Sequence, residues 1–196
     1  MEQIYSRRRI RKYKNEPVSK EMITDILSAG KAAPSAKNRQ PWKYIVFADA
    51  PKTKLLASME LGLNNATRVL PDIPQLKAGL ADAWNTLRIM REAPVIIIVL
   101  NTNGTSPFIP TDANGRITEI CDTLSIGASI QNILLKAAGA GLGTLWIANT
   151  SFAYKEITDF LDTDCQLVGA IALGYPDESP LERPRKPLDE IVEFRY

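Results

Sequence analysis

Histidine is absent from this 196-residue chain. That removes the Ser–His and Cys–His pairs on which many nucleophilic enzymes depend, and takes away the usual zinc ligand of metallohydrolases. Cysteine is scarce: Cys121 and Cys165 stand far apart, with no second cysteine near either. This is neither a disulfide framework nor a metal knuckle, and it fits a reducing cytoplasm. Long apolar runs are missing too. The longest, Ala93–Leu100, is far short of a bilayer span, and Met1–Arg7 lacks the apolar core of a signal peptide. The expectation is a cytoplasmic protein without a membrane partner. Neither sign of charge dominates: the net charge is only +2, so no nucleic-acid partner is expected. Any catalysis here should draw on a group brought in from outside.

What is present is a 45% hydrophobic chain, enough for one domain over residues 1–196 with a proper core. Its basic residues are uneven. Residues 7–14, RRRIRKYK, carry six cations in eight positions. The ordinary reading is a solvated basic end; the functional reading is a set of guanidiniums for a dianionic phosphate, gripped through bidentate charge-assisted hydrogen bonds. Pro17-Val-Ser19 then opens a helix, with Ser19 as N-cap, a Val18–Ile23 staple, and Met22, Ile26 and Ala29 inward. Pro34 stops it. Residues 33–42, APSAKNRQPW, read as a rigid loop presenting Ser35 and Asn38, with Trp42 as its anchor in the core. A strand follows at 43–48 and a helix from Lys52 to about Leu61.

Residues 62–75 look irregular, and 62–80 is expected to be a pocket-shaping insertion. Leu76–Met90 is helical, with Leu80, Trp84, Leu87 and Met90 inward, and 94–100 is a strand buried on both faces. Next comes a long helix from Asn114 to Gly141, about 40 Å at 1.5 Å per residue. Its apolar positions are Ile117, Ile120, Leu124, Ile130, Leu134 and Ala137. Gly139, Gly141 and Gly143 close this helix and open a strand, Thr144–Ile147. That order is the reverse of a dinucleotide-binding fingerprint, which must follow a strand and open a helix. A helix at 154–161 and a strand at 167–174 complete the body. The tail, 175–196, ends in a strand-like 190–194 and reads as an arm lying along a second subunit.

Taken in order, RRRIRKY (7–13), APSAKNRQPWKYIVF (33–47), APVIIIV (93–99), DTLSIGASIQNILLKAAGAGLGTLWI (122–147) and RPRKPLDEIVEF (183–194) resemble the nitroreductase family of FMN-dependent oxidoreductases. The resemblance implies an α+β fold: a mainly antiparallel central sheet flanked by helices. It also implies an intertwined homodimer, with the long helix at the interface and the C-terminal arm exchanged onto the partner.

By position, it implies that Arg7, Arg8, Arg9 and Arg11 hold the FMN phosphate and one ring edge, with Arg185 closing on the phosphate and Arg183 beside it. Pro34, Ser35 and Asn38 would come from the other subunit. Ile147, Ala148 and Asn149 would bring backbone to the ring, and Asn85 to Arg88, with Arg88 foremost, would reach its pyrimidine side. No side chain is implied as catalytic and no metal as bound. FMN carries the chemistry, NADH or NADPH supplies electrons, and a nitroaromatic or quinone accepts them in a ping-pong cycle. The chain departs from many relatives at Arg9, where a small hydroxylated residue is usual, and at Ala148-Asn149, where an acidic residue and glycine are usual. The alternatives are a non-catalytic flavin-binding protein and a related flavin enzyme, such as a reductive dehalogenase.

Overall fold

The computed structural model describes residues 2–196. Four strands, β1 (Trp42–Ala48), β2 (Val95–Asn101), β3 (Gly143–Ile147) and β4 (Gln166–Gly174), form one sheet in the order β1-β2-β4-β3. Every pairing is antiparallel, as expected for the fold. All seven residues of β2 are buried. Its Ile96, Ile98 and Leu100 face one core, and its Val95, Ile97 and Val99 face the other. A strand covered on both faces loses its alternating pattern, which is why 94–100 reads as a continuous apolar run.

Helices make the two outer layers. On one face lie α3 (Asp49–Val69), α4 (Pro74–Glu92) and α6 (Tyr154–Leu161). On the other lie α2 (Lys20–Lys31) and α5 (Ala113–Gly139). A single helical turn, α1 (Gln3–Ser6), begins the chain. Among the described residues, no helix is long and apolar enough to cross a membrane.

Local signals place these elements. Ser19 Oγ accepts from Met22 N at 3.2 Å and caps α2, and Val18 and Ile23 are both buried as a staple requires. The stripe of α2 sits one residue on from the expected one: Ile23, Ile26 and Gly30 are buried, while Met22 and Ala29 are half-buried. At the other end of the chain's longest helix, Gly141 adopts φ +77°. There Leu142 N donates to Ala137 O at 2.9 Å and Gly141 N to Ala138 O at 3.1 Å. This double closure ends α5 in a left-handed residue and turns the chain straight into β3.

Three expectations need correction. Residues 62–75 are not irregular: α3 runs on to Val69 and α4 opens at Pro74. Leu55, Leu56, Met59, Gly62 and Leu63 keep helical period through the glycine, and Asn65 Nδ2 is anchored on Glu156 Oε1 at 2.8 Å. Trp42 is half-buried, packing against one core from the sheet edge rather than sitting within it. Of the apolar positions of α5, Ile117, Ile120 and Leu124 are 60%, 52% and 69% exposed, while the helix buries Asp122, Ser125, Ile126 and Ser129. Last, 190–194 is not a strand: a 3-10 turn at Leu188–Glu190 leads into an exposed end.

Candidate functional site

The basic segment is strapped across the sheet margin beside β3 and the end of β4. Ile10 N donates to Thr144 O at 3.0 Å, Lys14 N to Tyr175 O at 2.9 Å, and Asp177 N to Lys12 O at 3.0 Å. Ile10 and Tyr13 point inward and are buried. Gly143 makes room for Ile10: a Cβ there would lie 2.6 Å from Ile10 Cγ1. The Tyr13 hydroxyl donates to Ile10 O at 2.9 Å. Burial, and then the Glu178 charge, push its phenol well above the usual tyrosine range. Glu178 Oε1 also accepts from Arg11 N and from Lys12 N, fixing the backbone between them. With the apolar side chains drawn inward, the arginines are left on the outer side.

They line a cavity of about 580 Å³ with the tail residues Pro180–Arg185. Arg7, Arg8, Arg9, Arg11, Arg183 and Arg185 all face it, against one carboxylate, Glu182. Glu182 lies 3.5 Å from Arg8. Lost hydration first, then the charges of Arg185 and Arg8, lower the Arg7 pKa from the ordinary arginine value. Arg9 is lowered likewise, by lost hydration first and then by Arg183, Arg11, Arg185 and Arg7. Crowded like charges are destabilising until an anion sits among them. A phosphate dianion, with oxygens for several guanidiniums, fits this donor set.

A second cavity of about 380 Å³ shares the wall formed by Arg9, Arg11 and Arg183. Its far side is Asp82, Asn85, Thr86 and Ile89 of α4, and its floor is β3 with the turn Ile147, Ala148 and Asn149. The Asn149 amide nitrogen donates to Asp82 Oδ2 at 3.1 Å and to Thr86 Oγ1 at 2.9 Å. A carboxylate can only accept here, so it fixes which way the amide points. Asn149 Oδ1 is thereby buried with no protein partner among the described residues. A buried acceptor left unpaired costs about 1–3 kcal/mol, and a bound N–H donor would remove that cost. An apolar floor, a polar rim and an adjoining cationic cavity together suit a planar heterocycle carrying a phosphate.

The structure thus brings Arg7, Arg8, Arg9, Arg11, Arg183 and Arg185 together, and sets Ile147, Ala148 and Asn149 beside them. Pro34, Ser35 and Asn38 lie elsewhere, on a loop packed against α5 and lining neither cavity. This loop is tightly specified. Ala36 N donates to Ser125 Oγ at 3.1 Å and Gln40 N to Ser35 Oγ at 3.0 Å, while Lys37, Asn38 and Gln40 have φ of 53°, 54° and 49°. Arg88 also lines neither cavity; it donates to Asn85 Oδ1 and pairs with Glu92. Asn85 and Thr86, within the predicted Asn85 to Arg88 segment, do line the second cavity, whereas Asp82 escaped the sequence reading. Its signal was a polar side chain one turn before Thr86 on α4.

Residues 4–175 match the family described as Nitroreductase. The YfhC protein of Bacillus subtilis (strain 168), named as an NAD(P)H nitroreductase, is 30% identical over 195 residues, covering 97% of this chain and 92% of that protein. The nitrobenzene nitroreductase of Ectopseudomonas oleovorans is 30% identical over 216 residues, covering 97% of this chain and 94% of its own. Among solved structures, a nitroreductase from Desulfovibrio desulfuricans, crystallised in complex with FMN, is 28% identical with a TM-score of 0.73. That likeness covers 100% of this chain and 96% of the other. A match running through the arginine strap, the loop before β1, the long helix and the turn after β3 leaves one assignment: the chain belongs to the nitroreductase family.

Proposed function

We propose that this chain is an FMN-dependent NAD(P)H oxidoreductase that reduces nitroaromatics, quinones or similar acceptors. The observation that carries the reading is the pair of joined cavities, six arginines at one end and the unpaired Asn149 acceptor at the other. FMN, when bound, supplies the hydride and electron chemistry, which is why a chain without histidine can be an enzyme. Arg7 and Arg185 would neutralise the FMN phosphate, and Arg11 would keep positive charge beside the second cavity. Asn149 Oδ1 takes a donor from the ring. Donor and acceptor occupy the same open face in turn, a ping-pong order. Residues 62–80 lead into the Asp82–Ile89 wall and help to shape the acceptor side, within one domain over 1–196.

The working form on this reading is a cytoplasmic homodimer. Ile117, Ile120 and Leu124 form an exposed apolar stripe on α5, and Leu181, Leu188, Ile191 and Phe194 add exposed apolar surface on the arm. Such surface marks an interface. The N-terminal strap bonds to β3 at Thr144, so β1 is the edge left to accept a partner's arm. Pro34, Ser35 and Asn38 then act in the partner's site. Arg88 acts through Asn85.

FMN titration of flavin-free protein tests the site. Tight binding is expected, weakened at least about tenfold by Arg7→Ala and by Arg185→Ala, since a hydrogen bond to a charged group contributes about 1.5–3 kcal/mol. Unchanged affinity in both variants would overturn the assignment.

A further inference from the structure

Six guanidiniums face the first cavity against one carboxylate. Among the described residues, Arg8 alone of the six has an acidic partner within salt-bridge distance. The formal excess is therefore five positive charges, and a flavin phosphate contributes about −2 at neutral pH. Roughly three positive charges are left over once that phosphate is bound. Arg185 spends part of its hydrogen-bonding capacity on its own tail, donating to Arg183 O at 3.1 Å and Pro184 O at 3.2 Å. Arg8 is likewise tied to Tyr5 O at 2.6 Å. Arg9 and Arg183 are different. Among the described residues the guanidiniums of Arg7, Arg9, Arg11 and Arg183 carry no side-chain hydrogen bond or ion pair. Arg9, Arg11 and Arg183 line the wall common to the two cavities, and of these Arg9 and Arg183 are the exposed ones.

Resting on the reading of the chain as an FMN-dependent oxidoreductase, we propose that this arginine cavity holds two phosphate groups at once. One is that of the flavin; the other is the 2′-phosphate of NADPH, gripped by Arg9 and Arg183, which makes NADPH the preferred electron donor. The chemistry favours this phosphate over the diphosphate bridge common to both donors. A phosphomonoester offers three terminal oxygens and nearly two charges at a single phosphorus, matching two guanidinium forks. The bridge spreads one charge over each phosphorus. Between donors that differ by one dianion, a cavity with uncompensated positive charge selects the more anionic.

The test is equilibrium binding by calorimetry to the FMN-loaded protein. The probes are 2′,5′-ADP, the adenosine half of NADPH, and 5′-AMP, the adenosine half of NADH. The expected result is at least tenfold tighter binding of 2′,5′-ADP, with the difference falling to threefold or less in Arg9→Ser. Arg183→Ser, on the exposed tail, should do the same without touching a segment packed on the sheet. Two adenylates within threefold of each other in the parent protein would overturn the proposal, as would a preference that survives both substitutions. Protein that takes up no FMN contradicts the parent reading. Protein that holds FMN without discriminating the adenylates contradicts this inference alone.

Discussion

Arg39 places both Nε and Nη2 2.8 Å from Asp122 Oδ1, tying the loop before β1 to the middle of α5 across 83 residues of sequence. The two partners are unequal: the Asp122 side chain is 1% exposed and that of Arg39 26%. Removing Arg39 leaves a buried carboxylate with only Asn103 Nδ2, at 3.4 Å. Removing the charge of Asp122 leaves a guanidinium whose Nη2 is buried but whose side chain is still partly in water. Arg39→Met should therefore cost about 3–5 kcal/mol, the figure for orphaning a buried charge, and Asp122→Asn clearly less. Urea denaturation of the two variants measures the difference; equal losses would contradict it.

Tyr13 gives a pH dependence. Its folded pKa lies above the unfolded value of about 10, so the folded state keeps a proton that the unfolded state gives up. Its contribution is fully present below about pH 10 and is lost as pH rises beyond it. Tyr13→Phe should cost about 1 kcal/mol at pH 8 through the lost bond to Ile10 O. It should also flatten the alkaline loss of stability between pH 9 and 11. Parallel alkaline profiles for parent and variant would argue against this.

Gly143 should be intolerant of a side chain. The Cβ of Gly143→Ala would meet Ile10 at 2.6–2.9 Å, in the segment that carries the arginines. Overpacking here should cost about 1–3 kcal/mol and weaken FMN binding by shifting the strap. A fluorescence titration of FMN in the folded variant checks the second effect, and unaltered affinity would separate the strap from the site.

The exposed stripe on α5 predicts the assembly. If the proposed dimer forms through this stripe, Ile120→Asp together with Leu124→Asp should convert it to a monomer in light scattering, and should lower FMN affinity, since on that proposal Ser35 and Asn38 act across the interface. A dimer that withstands both charges would place the interface elsewhere.

The same stripe shows what a single chain's sequence can and cannot convey. Helical period correctly announced α5, and the glycines announced its end, because 3.6-residue spacing and left-handed termination are local properties. The period gave no sign of what the apolar side should meet. Ile117 and Leu124 look the same in sequence whether a core or a second molecule covers them. Asn64-Asn65 was misread as a break because turn residues outweighed a helical stripe whose packing partner, Ala153 against Gly62, is distant in sequence. Arg7 and Arg9 stood out because their clustered charge is visible in composition; Arg183 came only with the family resemblance, as did Thr86 within Asn85 to Arg88. Asp82 did not stand out, since only the fold carries α4 to the turn at Asn149.

The most direct measurement is the visible absorption spectrum of the purified protein, anaerobically, before and after NADPH and then NADH, followed by a nitroaromatic or quinone. A yellow protein that bleaches with a donor and regains its colour with the acceptor is the predicted result. A protein that takes up no FMN, or bound flavin that neither donor reduces, would contradict the account.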